Sequence, residues 1–508
     1  MLTQAQAPTW ASDVAPIFYN NCTRCHNPSG IAPFSLMTYA DAMQVTQSIQ
    51  TSVQNRTMPP WPPDPAYQRF THERLLTPQE IQTIVNWVDS GSVSGNLSQA
   101  PTPPVYTGIS QMPNPDMVSQ MPLYTVNASA DLYRCFVMPS GLTNDEFVTK
   151  VEVLPGNRSI LHHALIYQDV ANTCINLDNA DPGPGYTSFG GVGSFTATLV
   201  FGWVPGQEMY ELPANTGIRL LANTNIIMQI HYPAGTFNQI DSTQVRFTFA
   251  NGTVRDVTLN PVLNYWSTLT NGPINIPPNT TRTYHAQYAV NGDVTLLTVA
   301  PHMHLIGRTV KSYAIDPNND TIPFIDIPDW NFHWQGFYNF RQLIRVPAGS
   351  VVHADAFYDN TSNNPWNPSS PPQQVVAGEA TNDEMLVVYF AYMPYQPGDE
   401  NIIVDSSVLA SNGPPPAIAT VVQSPQLYAP YPVPANGPVN FSFFLPQAGR
   451  TTLEIVDAQC RTVAVVKQGE LPAGYHQVSY DLTALASGNY FVKLQQGESV
   501  RAKPVVKN

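Results

Sequence analysis

The sequence predicts a multidomain, mainly β protein. A small all-α domain comes first, then two antiparallel β-sandwich (jelly-roll-like) domains, then a small C-terminal β-sandwich. Three observations predict this. Helical spacing of apolar residues is confined to roughly the first ninety-seven positions, short β-rich runs broken by Pro, Gly and Asn fill the rest, and two Pro-rich stretches interrupt the chain. At 508 residues, a prior of ~150 per domain gives three or four domains.

Composition narrows the class. The chain is 43% hydrophobic and 11% charged, with 49 prolines. Disorder would pair few hydrophobic residues with high net charge, so this is a rigid, loop-rich globular chain. A net charge of −14 without any basic run argues against nucleic acid or an anionic membrane as partner. No apolar run approaches the ~18 residues of a membrane span.

Residues 1–97 form the helical domain. In "LTPQEIQTIVNWVDSG", Thr77 is the N-cap, Glu80 completes a capping box three residues on, and Gly91 ends the run. Residues 98–122 are a linker rich in Pro, Ser and Gly. Runs such as "FVTKVEVLP", "TNIIMQIHYP", "DVTLLTVAP" and "EMLVVYFAYMP" then read as strands, and their extent implies two sandwiches, 123–257 and 258–403, joined near "TLNPVLNYW". A second linker, 404–425, precedes a seven-strand module over 426–508.

"NNCTRCHNPSG" is a haem attachment motif. The thiols of Cys22 and Cys25 add to the haem vinyl groups, and His26 is placed to bind iron. The sixth ligand is a methionine, with Met37, Met43 and Met58 available. Met58 is preferred, because the prolines of "NRTMPPWPPDP" hold an extended loop that can lay a thioether over the haem, whereas Met43 sits in a helical run. A His/Met pair suits electron transfer. The segment resembles small cytochrome c domains in which "IAPFSL" and "MPPWPPD" accompany the Cys-x-x-Cys-His motif. Haem c is attached outside the cytoplasm, so a signal segment trimmed before about Ala7 is expected.

Of eleven histidines, five fall in three clusters within the β region: His162 and His163 in "LHHALIY", His231 in "MQIHYP", and His302 and His304 in "PHMHLIG". Residues two apart on a strand share a face, so His302 and His304 present two imidazoles to one point. Adjacent His162 and His163 point to opposite faces unless the strand is distorted or different ring nitrogens are used. Three histidines suit zinc, whereas an added sulfur ligand favours copper, with Met385 ahead of Met393 as the donor. His72, His285, His333, His353 and His476 read as ordinary core or loop residues.

The ordered set "LHHALIY", "MQIHYP", "PHMHLIG" and "NDEMLVVYFAYM" resembles the copper type II, ascorbate-dependent monooxygenases, over about 123–403. The resemblance implies two copper ions facing each other across a solvent-filled cleft. His162, His163 and His231 would hold the electron-storing copper, and His302, His304 and Met385 the copper that activates O2. Gln229 sits where the family keeps a glutamine beside the third histidine. Cys135, in "ADLYRCFVMP", falls at a family disulfide position, and Cys174 is its inferred partner because the family's other cysteines are missing here. The peptide-amidating members carry an arginine where this chain has Ala300, which puts a substrate carboxylate in doubt. Tyr389 and "DWNFHWQGFYNF" either line the pocket or are ordinary core.

Residues 426–508 resemble the C-terminal sorting domain of type IX secretion in Bacteroidetes, with Cys460 where that family has a turn glycine. Together these readings predict a secreted or cell-surface copper-dependent monooxygenase. It would hydroxylate an activated C–H bond of a small organic substrate with O2, and one covalent haem c would relay electrons to the copper of His162, His163 and His231. An ascorbate-like compound or a redox protein would be the external donor. The alternative is a surface electron-transfer or copper-binding protein without monooxygenase activity.

Overall fold

The computed structural model describes all residues except 1–6, 29, 31, 107–109, 190, 205–206, 208, 406–424, 428–429, 431–436, 446, 458, 460, 473, 498 and 508. Cys460 and most of the second linker therefore lie outside the described residues. The chain divides into one unit of residues 1–360 with 366–405, and a second of 406–508 with 361–365.

Helices occupy Trp10–Val14, Ala15–Asn21, Tyr39–Met43, Thr46–Gln54 and Pro78–Asp89. The capping box at Thr77 is present. Glu80 N donates to Thr77 Oγ1 at 3.2 Å, and Thr77 N donates to the Glu80 carboxylate at 2.7 Å. Trp10, Phe18 and Trp87 fill the small core between these helices.

The helical segment is not closed on itself. The Pro-rich loop after Met58 crosses to the β region, where Asp64 N donates to Asp326 O and Thr71 N to Asn339 O, both at 2.8 Å. Phe70 forms a β-bridge to Phe340 and is fully buried in the core of residues 258–403.

The first β region contains two main sheets. One runs Tyr186–Thr187, Leu132–Pro139, Asn225–Tyr232, His163–Asp169, Thr198–Trp203, all antiparallel. Its central strand, "NIIMQIHY", is buried at every position, which is why it reads as a continuous apolar run rather than an alternating one. The other runs Met117–Gln120, Gln244–Phe249, Glu146–Leu154, Thr216–Leu220, Arg255–Asp256, with Tyr210–Glu211 beside Glu146–Leu154. Phe136, Ile166 and Met228 of the first sheet share a core with Val151 and Phe247 of the second.

The second region has two four-stranded sheets. They run Thr258–Asn264, Val387–Pro394, Val294–His302, Tyr338–Val346 and Thr280–Ala289, Val351–Asn360, Gly307–Ile315, Thr321–Ile327. Alternation along these strands serves two cores. Leu296 and Phe390 face their own region, while Leu297, Ala391 and Met393 join the core of the first. Met393 is thus packing. Arg255 also spans the two regions with a bidentate pair to Asp399, at 2.6 and 2.8 Å.

The second unit contains a three-stranded and a four-stranded sheet among its described residues. Phe441 and Leu445 of one share a core with Leu453 and Val492 of the other.

Candidate metal centres

His231 and His163 are cross-strand partners in the antiparallel pairing of Asn225–Tyr232 with His163–Asp169. His162 lies just outside the strand, and its N–H donates to His231 O at 3.0 Å. Starting the strand at His163 is the distortion that lets two consecutive imidazoles share a point. His162 Nδ1 lies 3.2 Å from His163 Nδ1 and 3.2 Å from His231 Nδ1.

One Nδ1 carries either one proton or one lone pair, so His162 Nδ1 can hydrogen-bond only one of these neighbours. The nitrogens of a tetrahedral metal with bonds of about 2.0 Å would be roughly 3.3 Å apart. The three rings therefore fit a metal ion, all through Nδ1. Behind them, His231 Nε2 is 3.3 Å from Asp131 Oδ1 but not aligned for a hydrogen bond. Asp131 also accepts a hydrogen bond from Thr381 Oγ1, in the loop leading to Met385. Its carboxyl is held well below the usual range, chiefly by His231.

His302 closes its strand, and His304 lies just before the turn of residues 305–306. The pairing of the two strands ends at His302 and Val387, and Met385 lies two residues before Val387. Met385 is buried, with 5% exposure. His304 Nδ1 lies 3.1 Å from the Asp383 carbonyl, which can only accept, so Nδ1 carries the proton and Nε2 the lone pair. His302 Nδ1 donates likewise to Gln335 Oε1 at 2.5 Å, the amide being oriented by its Nε2 donating to Phe332 O at 2.8 Å. Both Nε2 atoms remain for a metal.

Glu384, fully buried, organises this turn. Its carboxylate accepts from the backbone N–H of His304 and Ile306 at 2.9 Å, Gly307 at 3.1 Å and Met385 at 3.2 Å. Burial pushes its pKa up to about 8 against the pull of these four donors.

Both sets border one cavity of about 610 Å³, lined by His162, His163, His302, His304 and Met385 among others. Phe332 lies between them, stacked on His162 at 5.1 Å and edge-on to His304 at 5.9 Å. Desolvation lowers the pKa of His162 and His304 to about 3 and of His302 to about 4, so all three stay neutral. The lining includes Tyr133, Trp203, Trp266 and Tyr389, one carboxylate, Glu379, and no Lys or Arg among the described residues. Ala300 and Tyr389 are cross-strand partners on this wall.

Gln229 Nε2 donates to Ser188 O and Gly191 O at 3.1 and 2.7 Å, which anchors the loop that closes one end. Cys135, opposite Gln229 on the neighbouring strand, is in one buried cluster with Cys174 and Tyr186, and both cysteines are free thiols in this structure. His333, read from the sequence as an ordinary residue, is on the cavity wall.

In the helical segment, Cys22 caps the helix Ala15–Asn21, and His26 N donates to Cys22 O at 3.0 Å. His26 Nδ1 donates to Phe34 O at 3.1 Å, which leaves Nε2 for iron and fits the ring to a haem. Cys22 and Cys25 are both half-buried. Met58 is half-buried beyond the helix Thr46–Gln54, whereas Met43 is 40% exposed.

Residues 268–408 match the copper type II ascorbate-dependent monooxygenase, C-terminal domain. This copper monooxygenase domain contains His302, His304, Gln335, Glu384 and Met385, and it implies copper and O2. Residues 429–508 match the secretion system C-terminal sorting domain, which indicates export to the cell surface or beyond.

No curated protein matches the chain. Among solved structures, the beta-glucuronidase of Faecalibacterium prausnitzii is 11% identical, with 45% of this chain and 37% of that one covered and a TM-score of 0.13. That of Ruminococcus gnavus is 9% identical over 46% and 36%, with a TM-score of 0.12. The chain spans little more than a third of those structures, and TM-scores this low carry no argument. Among the described residues, no helix is long and apolar enough to cross a membrane.

Sequence reasoning found the five clustered histidines and offered the stretch holding Phe332 and Gln335 as pocket lining, but missed Asp131 and the role of Glu384. The one available signal for Glu384 was a carboxylate opening the apolar run "EMLVVYF".

Proposed function

We propose that this is an exported copper-dependent monooxygenase that inserts one oxygen atom of O2 into an activated C–H bond of a small organic substrate. The observation that carries the reading is the single cavity onto which His162 and His163 on one side, and His302, His304 and Met385 on the other, all open. His162, His163 and His231 would hold one copper through Nδ1. His302, His304 and Met385 would hold the other through two Nε2 atoms and a thioether, a set that favours Cu(I). Copper at these positions supplies one-electron redox chemistry and O2 activation.

The balance is R–H + O2 + 2e⁻ + 2H⁺ → R–OH + H2O, so two electrons come from outside the substrate. His26, with Met58 as the second axial ligand, and Cys22 and Cys25 would hold a haem c as relay, re-reduced by an ascorbate-like compound or a redox protein. The residues of this chain provide positioning and water exclusion. Asp131, Gln335 and Glu384 hold the ligand rings and turn, and the aromatic wall favours an apolar or aromatic substrate. With Ala300 on that wall and no Lys or Arg among the described residues of the lining, an anionic substrate finds no counter-charge there.

Metal analysis coupled to oxygen uptake tests this. The expected result is two coppers and one haem per chain, with product formed from O2 and one copper and all hydroxylation lost in His304→Ala. Zinc, or no metal, in active protein would overturn it. Bound copper with no O2-dependent product from any compound tested would favour the surface electron-transfer alternative.

A further inference from the structure

Val204, Gln335, Gly336 and Phe337 border two cavities at once. One is the cleft between the metal centres. The other, of about 390 Å³, is also lined by Arg24 from the Cys-x-x-Cys-His loop and by Trp61 and His72 from the segment that crosses to the second β region. Trp61 meets Tyr338 edge-on at 5.5 Å, and its indole Nε1 is buried without a hydrogen-bond partner, a donor suited to a carboxylate of a bound prosthetic group. On the cleft side, Gln335 Oε1 accepts from His302 Nδ1 at 2.5 Å. None of the six ligand residues of the two centres lines this second cavity, and the residue of its lining that is hydrogen-bonded to one of them is Gln335, on His302. Arg24, between the two attachment cysteines, thus lines a cavity that shares Val204, Gln335, Gly336 and Phe337 with the cleft, and Gln335 is hydrogen-bonded to the His302 imidazole.

We propose that Gln335 is the electron bridge, so that electrons from the haem enter the copper pair at the His302, His304 and Met385 centre rather than at the three-histidine centre. This rests on the assignment of a haem and two coppers made above. In each transfer one haem iron goes from ferrous to ferric and one copper from cupric to cuprous, with no bond made or broken. The external one-electron donor then re-reduces the haem. A hydrogen-bonded chain from the wall to an imidazole couples the two centres better than a gap of solvent does, and an outer residue on a ligand histidine also sets the properties of the metal it serves.

The test uses the full chain carrying ferric haem and two cupric ions, mixed anaerobically with less than one equivalent of ascorbate. Ferrous haem is followed optically and cupric copper by freeze-quench electron paramagnetic resonance. The ferrous signal should decay as the cupric signal falls, and His162→Ala, lacking the three-histidine copper, should keep that decay. Gln335→Leu, with two coppers still bound, should slow it roughly tenfold or more, and Gln335→Glu, which still accepts from His302, should restore it. Should the leucine variant lose copper, Gln335→Asn, one methylene short of His302, is read in its place. An unchanged rate in these variants, or a decay abolished by His162→Ala, overturns the proposal. A chain without haem, or without copper at the second centre, is recognised by metal analysis before any kinetics and fails the underlying assignment instead.

Discussion

The backbone N–H of His304 donates to the Glu384 carboxylate at 2.9 Å, and the same carboxylate accepts from Met385. One buried side chain therefore fixes the two segments that carry a histidine and a methionine of the same candidate site. Glu384→Ala leaves four buried donors unsatisfied, each costing about 1–3 kcal/mol. A loss of about 3 kcal/mol or more in denaturant unfolding is expected. Glu384→Gln, with one oxygen left to accept, should fold better yet still lose copper from the second centre. Retention of two tightly held coppers by both variants would contradict this role.

Asp131 stands behind His231 as Glu384 stands behind His304. A carboxylate at Nε2 favours the tautomer with its lone pair on Nδ1, the nitrogen that faces the other two rings. Asp131→Ala is expected to weaken copper binding at the three-histidine centre about 10–100-fold while sparing the other. Competition with a chelator, with the two cupric signals followed separately, measures it. Equal weakening of both centres would mean the residue acts on the fold as a whole.

Acid should destabilise the metal-free protein in two stages. His162, His302 and His304 are buried neutral, with pKa values lowered from 6.5 to about 3, 4 and 3, so the unfolded chain takes up protons first as pH falls below 6.5. Arg255 holds the Asp399 carboxyl at about 2 instead of 3.8, a contribution present above 3.8 and lost as pH falls toward 2. Glu384, raised from 4.5 to about 8, works the other way between those values and offsets one of the three histidine protons, so unfolding midpoints should fall below pH 6.5 with the slope of the remaining two. Asp399→Asn should flatten only the stage below about pH 4. A flat profile between pH 6.5 and 4 would show that the histidines are not neutral in the folded state.

The helical segment makes its own prediction. Met58→Ala should convert a six-coordinate haem spectrum to a five-coordinate one, and Cys22→Ala should leave the haem held by one thioether bond. An unaltered spectrum in Met58→Ala would move the sixth ligand to Met37, whose carbonyl accepts from Tyr19 at 3.2 Å.

What the sequence disclosed followed from spacing. His302 and His304 were legible because two-residue spacing brings side chains to one side of a strand, and the Thr77 box because caps are local. The neighbours His162 and His163 posed a conflict that only the actual strand start resolves. The hydrogen-bonding roles of Glu384, Asp131 and Gln335 were invisible for a related reason, although the stretch holding Gln335 read as candidate pocket lining. Their partners are fixed by where the chain passes in space, at residues 304–307, 231 and 302, and no periodicity encodes that. The Pro-rich run after Met58 read as a loop serving the haem. Its second task depends on Phe340, far along the chain from Phe70 and beyond the reach of any local pattern.

That bridge between Phe70 and Phe340 also sets an order of events. The segment synthesised first cannot finish its own packing until most of the chain exists, so its last core contact is a late closure of long range. A fragment beginning after residue 97 would lack the ring that fills this part of the core, a loss of the kind that costs about 3–5 kcal/mol when a buried phenylalanine is truncated. The helical segment is accordingly no detachable cartridge, and grafting it onto another carrier would require bringing its β partner along.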